Sequence, residues 1–135
     1  MTRIESDKRI INKEQEKIYN FLSDFNNFEA LMPDKVVDWK SDKESCSFTI
    51  SGLASLGMRI VEKDPYSYIK MIDEGKVPFK FEFYVNIKNV DAGKSEVHLI
   101  FDADLNMMLK MMAVKPLKNF LNMLLDELEK QELPQ

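Results

Sequence analysis

The sequence predicts an α+β fold in which a seven-stranded antiparallel sheet wraps around a long C-terminal helix. Three observations support this. Apolar and polar residues alternate through most of residues 35–105, the period of strands that bury one face. The connections between these segments are short and made of turn-forming residues, which suits neighbouring antiparallel strands. After the last strand, residues 107–130 change to the period of an amphipathic helix.

Length and composition favour one folded domain over residues 1–135, since a chain of this size can bury roughly two thirds of its unfolded surface. The net charge of −4 argues against a nucleic-acid partner, because binding to phosphates requires clustered Lys and Arg. Cys46 is the only cysteine, and no signal-peptide pattern precedes the first strand, so we expect a cytoplasmic protein. No run approaches the roughly 20 apolar residues of a transmembrane segment.

The N-terminal region predicts one strand followed by two short helices. Residues 2–11 carry few apolar positions among charged ones, which favours a weak strand near a sheet edge. Asn12 and Gln15 have the spacing of a capping box and predict a helix over residues 14–23. A second helix, over residues 28–32, must end before the proline that follows it.

Six further strands are predicted from the alternation that follows. Their tight connections leave no room for crossover helices, so the strands should form an antiparallel meander. One face of this sheet is continuously apolar and aromatic, and the other is mostly charged. The strands cover residues 35–40, 45–51, 54–63, 67–73, 79–88 and 95–105.

The last helix should lie across the apolar sheet face. Asn106 is a suitable N-cap, and a stripe of Leu, Ala and Phe recurs with a helical period from Leu109 to Leu128. Pro116 removes one backbone hydrogen bond and predicts a kink. Residues 107–112 carry more apolar groups than one helix face can bury, so the surplus forms either the lip of a pocket or a contact surface.

This order of elements resembles the helix-grip fold of the START-like (SRPBCC) superfamily over residues 2–129. The string ADLNMMLKMMAVKPL, residues 103–117, is similar to the strand-to-helix junction of small uncharacterised bacterial members. The superfamily includes polyketide cyclases, the birch-pollen-allergen family, coenzyme Q-binding proteins and START lipid carriers. The resemblance implies binding of a hydrophobic small molecule between sheet and helix. It transfers no catalytic residues, because no cyclase or hydroxylase motif matches position by position.

The alternation and the resemblance together predict a lipophilic pocket between sheet and helix. Met and Phe, nine of each, are abundant on the faces that would meet, and Met adapts to irregular contents. These side chains suit either a cavity on the order of hundreds of Å³, with its entrance at residues 105–112, or a core that Met and Phe fill completely. The predicted ligand-binding residues are Phe48, Met58, Ile60, Phe79, Phe81, Phe83, Leu99, Phe101, Met112, Ala113, Leu117, Phe120 and Leu124.

Polar residues that could perform chemistry are sparse on the predicted inner face. His98, the only histidine, and the pair Asp102 and Asp104 alternate onto the solvated face. We expect Cys46 to be a small apolar residue buried in the core. No His/Cys cluster, Asp-rich loop or glycine-rich phosphate loop occurs. We therefore expect a non-catalytic protein without a metal or cofactor.

Two alternatives remain open. A cyclase- or dehydratase-like enzyme acting on an aromatic or polyketide-like substrate would need Ser6, Lys8, Arg59 or Asp104 inside the pocket, which requires a strand register one residue away from the prediction. A homodimeric interaction module with a dry core would use residues 107–112 and outward apolar groups of the sheet.

Overall fold

One antiparallel sheet forms the framework of the computed structural model, which describes residues 1–133. Two helices precede the six-strand meander and one follows it. The elements are β1 (Thr2–Glu5), β2 (Arg9–Ile11), α1 (Gln15–Leu22), α2 (Phe25–Phe28), a 3-10 helix (Glu29–Leu31), β3 (Val36–Ser41), β4 (Ser45–Ile50), β5 (Ala54–Asp64), β6 (Tyr68–Asp73), β7 (Phe81–Asp91), β8 (Lys94–Ala103) and α3 (Met107–Lys130).

Strands β3 to β8 form the predicted meander. The spatial order is β1-β8-β7-β6-β5-β4-β3, and every pair is antiparallel. The ends of these six strands differ from the predicted ends by no more than three residues. Because β2 pairs with β8 at one edge and β3 forms the other edge, α1 and α2 connect the two edges of the sheet.

The predicted first strand is divided in two, so the sheet has eight strands instead of seven. Both β1 and β2 pair with β8, and the register shifts by one residue between Glu5↔Ile100 and Arg9↔Val97. Ser6 bridges the irregularity, because its N–H donates to the Leu99 carbonyl and its Oγ accepts from the Leu99 N–H, both at 2.9 Å. A hydroxyl thus replaces a backbone acceptor, and the strand continues past the bulge.

The predicted capping box before α1 is wrong. The N-cap is Glu14, whose side chain makes no capping hydrogen bond. The Lys13 N–H donates to the Ile11 carbonyl (2.8 Å), a tight turn that precedes the N-cap. The Gln15 amide instead donates to the carbonyl of Ile87 in β7 (3.2 Å), so tertiary contact with the sheet overrides the local signal.

The second helical segment begins earlier than predicted. Asp24 is the N-cap of α2, and its carboxylate accepts from the Asn26 N–H at 2.9 Å. The segment continues as the 3-10 helix and ends before Pro33, as proline requires. The aromatic spacing of Phe25 and Phe28 carries the signal for the earlier start, since both side chains are buried.

The sheet bends along β5, where its pairing is irregular. The pairing of β5 with β6 shifts between Ile60 and Glu62, and such irregularities bend strands. Gly57 lies against the backbone of Glu74, whose N–H donates to the Gly57 carbonyl at 2.8 Å. A Cβ at position 57 would come within 2.5 Å of the Glu74 carbonyl oxygen, so this close approach requires glycine.

The core lies between the concave sheet face and α3, and the predicted inward faces are confirmed. Alternate residues of β7 and β8 are buried, as are the inward residues of β4, β5 and β6. Asn106 caps α3 as predicted, because its Oδ1 accepts from the Leu109 N–H at 2.9 Å. The helix continues through Pro116. The fold is therefore the predicted helix-grip α+β architecture.

Pro116 divides α3 into a first half, residues 107–115, and a second half, residues 116–130. Polar contacts hold the second half against the β1–β2 edge. The Asp7 N–H donates to Asn122 Oδ1 (2.9 Å), and one Arg9 nitrogen contacts both Asp126 (2.7 Å) and Glu129 (2.8 Å). The ammonium group of Lys13 donates to the Glu129 carbonyl at 2.7 Å. Among the hydrogen bonds of residues 1–133, the only side-chain bond that reaches the first half of α3 is its Asn106 cap.

Candidate functional site

The candidate site is the interior between the concave sheet face and α3. Two small spaces lie there, with volumes of about 20 Å³ and 10 Å³. Each is large enough for about one water molecule, although neither offers the polar partners that a water needs. The larger space is lined by Phe28, Met32, Phe48, Leu56, Met58, Phe81, Phe83, Phe101, Leu117, Phe120, Leu121 and Leu124.

Most of the predicted ligand-binding residues lie at these spaces. Leu99 lines the smaller one, together with Phe83 and Leu124. Ile60, Phe79 and Ala113 are buried in the surrounding core. Those lining the larger space are Phe48, Met58, Phe81, Phe83, Phe101, Leu117, Phe120 and Leu124.

Met112 is the exception among the predicted residues, because it is exposed at the surface of α3. None of residues 105–112, where the sequence predicts the entrance, lines either space. Among the residues that line the larger space, Met32, just after the 3-10 helix, is the one that is only partly buried. Four residues of the larger space are absent from the predicted set: Phe28, Met32, Leu56 and Leu121. The apolar spacing of residues 28–32 was the available signal for the first two.

Of the two possibilities that the sequence left open, the structure shows the filled interior, because aromatic rings occupy the space between sheet and helix. The rings of Phe81 and Phe101 stack with centroids 4.8 Å apart, and Phe79 meets Phe101 edge-on at 6.4 Å. From the helix side, the Phe120 ring stacks on Phe48 at 6.5 Å. Rings from different elements therefore occupy the space that the curved sheet encloses.

The lining of both spaces carries no polar side chain. Ser6 is buried, but its hydroxyl already accepts from the Leu99 N–H and donates to the Asp7 carbonyl at 2.8 Å. Arg59, Lys8 and Asp104 are exposed, and Arg59 lies 3.9 Å from Glu74. The groups that a cyclase-like enzyme would need are therefore not brought together in the interior.

The outer sheet face holds the titratable residues that the sequence singled out. His98 Nε2 lies 3.3 Å from a Glu5 carboxylate oxygen. Asp102 accepts two hydrogen bonds from the Arg3 guanidinium, both at 2.8 Å, which lower the pKa of this carboxyl below its usual value. Each group is matched by an intrachain partner on the solvated side of the sheet.

Outward aromatic residues are also engaged within the chain. The rings of Tyr68 and Tyr84 stack at 6.1 Å, and Tyr84 donates its hydroxyl to Glu82, which raises the pKa of the phenol. Lys70 lies 3.7 Å from Glu82 and 5.8 Å from the centroid of the Tyr84 ring. This part of the outer face is a polar and aromatic cluster, not a bare apolar patch.

Cys46 is buried on the inward face of β4. Burial raises the pKa of its thiol to about 12, so the thiolate is scarce at neutral pH. Over residues 1–133, no grouping of three or more His, Cys, Asp or Glu side chains could hold a metal ion. Within the same range, no helix is both long enough and apolar enough to cross a bilayer.

The first two turns of α3 form an exposed surface, which we call the Met surface and define as Met107, Met108, Met111 and Met112. These side chains are 61–83% exposed. Residues three or four apart on a helix are neighbours on its surface, so the pairs 107/111, 108/111 and 108/112 join the four groups into one outward stripe. The surplus of apolar residues seen in the sequence is thus solvent-exposed.

Comparison with solved structures finds the same architecture in proteins of low sequence identity. A START superfamily protein from Mycobacterium smegmatis superposes with a TM-score of 0.76 at 13% identity, covering 95% of this chain and 94% of that one. The protein XoxI from Bacillus cereus gives 0.77 at 14% identity, covering 96% and 94%.

A third similar structure is the di-domain ARO/CYC BexL from the BE-7585A biosynthetic pathway. Its TM-score is 0.75 at 15% identity, and the match covers 96% of this chain but only 46% of BexL. Searches with the sequence against protein-family models and curated proteins give no match. The chain therefore has the START-like helix-grip fold, as its element order predicted.

Proposed function

We propose that this protein binds a small lipophilic molecule between the sheet and α3 without catalysing a reaction. The observation that carries the proposal is the wall of the interior, which is apolar on every side. An apolar ligand placed there leaves no polar group of the protein unpaired, whereas a polar substrate would lose its hydrogen bonds to water.

The small observed volume implies that the ligand must displace side chains. The larger space is bounded by Met32 and Met58, whose flexible thioethers can change rotamer at low cost, and by Phe120 on α3. Opening is most accessible beside Met32, because this residue is partly exposed and follows a short 3-10 helix. The interior is thus a closed state of an expandable site.

Mass spectrometry under native conditions, after gentle purification, tests the proposal. We expect an additional mass that is released by organic solvent. Nile red titrated into delipidated protein should bind saturably with a one-to-one stoichiometry. Absence of both a co-purified molecule and saturable dye binding would contradict the proposal.

A pair of matched variants locates the binding. Leu117→Ala widens the larger space, and we expect at least a severalfold change in dye affinity. Leu105→Ala makes the same deletion at a buried position that lines neither space. Equal effects of the two substitutions would show that the dye binds elsewhere.

The nearly filled interior also favours a second candidate, a homodimeric interaction module with a dry core. In this case the sheet and α3 are only a scaffold, and the surface carries the function. Light scattering over a range of protein concentrations separates the candidates. A dimer that binds no dye supports the module, and a monomer that binds dye supports the ligand site.

A further inference from the structure

The Met surface lies in the most basic part of helix α3. Lys110, Lys115 and Lys118 fall in the same segment, and no acidic residue occurs between Asp104 and Asp126. Lys80 is near this end of the molecule, because its carbonyl accepts from the Asp104 N–H at 2.9 Å. A chain with a net charge of −4 therefore presents one strongly exposed apolar stripe surrounded mainly by positive charge.

We propose that the Met surface docks on the face of an anionic lipid bilayer, with the flanking lysines at the phosphate level. Four adjacent apolar side chains exposed to water at 61–83% are ready to enter the headgroup region. Lysine side chains can extend along the helix so that their ammonium groups reach phosphates while their stems stay apolar. This combination of exposed apolar groups and lysines is typical of helices that lie in a membrane interface.

Charge distinguishes this occupant from a second copy of the chain. In a two-fold dimer each surface meets itself, so the lysines beside one Met surface would face those of its partner. Such like-charge contact is unfavourable, whereas anionic lipids attract each lysine. The rest of the chain carries a net negative charge, which turns this end of the molecule toward an anionic membrane and the remainder away from it.

Docking requires little rearrangement of the folded chain. The first half of α3 makes no side-chain hydrogen bond apart from its Asn106 cap, among those of residues 1–133. The second half is held by Asp7, Arg9 and Lys13. The first turns can therefore settle into the interface while the core remains packed.

Flotation with lipid vesicles tests the proposal on the full chain without added ligand. We expect the protein to float with vesicles of equimolar phosphatidylcholine and phosphatidylglycerol, to bind poorly to phosphatidylcholine alone, and to dissociate as salt is raised. Because no interior ligand is required, this result is independent of the proposed ligand site.

Two variants and one control locate the contact. Replacing the four methionines of the Met surface with glutamine keeps helix-forming side chains of similar size and should lower the partition coefficient at least about tenfold. Lys115→Glu with Lys118→Glu should lower it by a similar factor. The control is Val90→Gln with Lys94→Glu, which changes one exposed apolar group and one basic group beside the β7–β8 turn, at the end of β8 opposite the one that leads into α3. This variant should bind vesicles as the unmodified chain does.

Three results would overturn the proposal. The first is no flotation of the unmodified chain with the anionic vesicles. The second is flotation that neither the methionine nor the lysine variant reduces. The third is a concentration-dependent dimer that the methionine variant abolishes, which would assign the Met surface to a second copy.

Discussion

The two halves of α3 are both rich in apolar residues but lie in opposite environments. Pro116 divides the helix: the first half, residues 107–115, exposes four methionines, and the second half, residues 116–130, buries Leu117, Phe120, Leu121, Leu124, Leu125 and Leu128. Only the second half lines the interior spaces and is held by polar contacts to the β1–β2 edge. The apolar content of a helix therefore does not show which part of it forms the core. Experiments on matched positions in the two halves test this contrast.

The largest effect is expected from shortening side chains in the two halves. Leu121→Ala should lower the free energy of unfolding by about 2–5 kcal/mol, because Leu121 is almost fully buried against the sheet. Met111→Ala should change it by no more than about 0.5 kcal/mol, because this side chain is exposed. Urea unfolding measures both values, and equal losses would refute the contrast.

The burial of Cys46 predicts slow chemistry at its thiol. Burial and a pKa raised to about 12 leave little accessible thiolate at pH 8. Alkylation with iodoacetamide should be at least about a hundredfold slower in the native protein than in urea. A native rate near that of the unfolded chain would mean that the sheet and α3 separate readily.

Backbone protection should also differ along α3. We expect the amides of Met111 and Met112 to exchange with deuterium at least about tenfold faster than those of Leu124 and Leu125, because the first half has fewer buried contacts. Hydrogen exchange followed by mass spectrometry resolves the two segments. Uniform protection would indicate that α3 opens only as a unit.

The smallest effect is expected at the polar contacts of the second half. Arg9→Ala removes the contacts with Asp126 and Glu129 and should cost about 0.5–1 kcal/mol, since both carboxylates are substantially exposed. High salt should reduce this difference between the variant and the unmodified chain. Lys130→Ala is a suitable control, because its ion pair with Glu127 lies within α3 and does not reach the sheet. A loss that salt leaves unchanged would argue for lost packing of the Arg9 stem instead of lost charge.

The locally encoded parts of the fold could be predicted from the sequence. The alternation in β7 and β8 identifies which residues point inward because the strand period is two, and the structure confirms these faces. The Asn106 cap follows from its own side chain and the helix that begins after it. The capping box at Asn12 failed because Gln15 finds a tertiary partner at Ile87, which local sequence does not reveal.

The order of the elements, the apolar face of the sheet and the apolar character of the interior follow from the sequence alone. The nearly filled interior and the exposure of the Met surface became apparent only from the packing of the folded chain. The physical reason is that cavity volume depends on how rings such as Phe101 and Phe120 meet across different elements, a non-local quantity. Exposure of the methionines likewise depends on which turns of α3 the sheet covers.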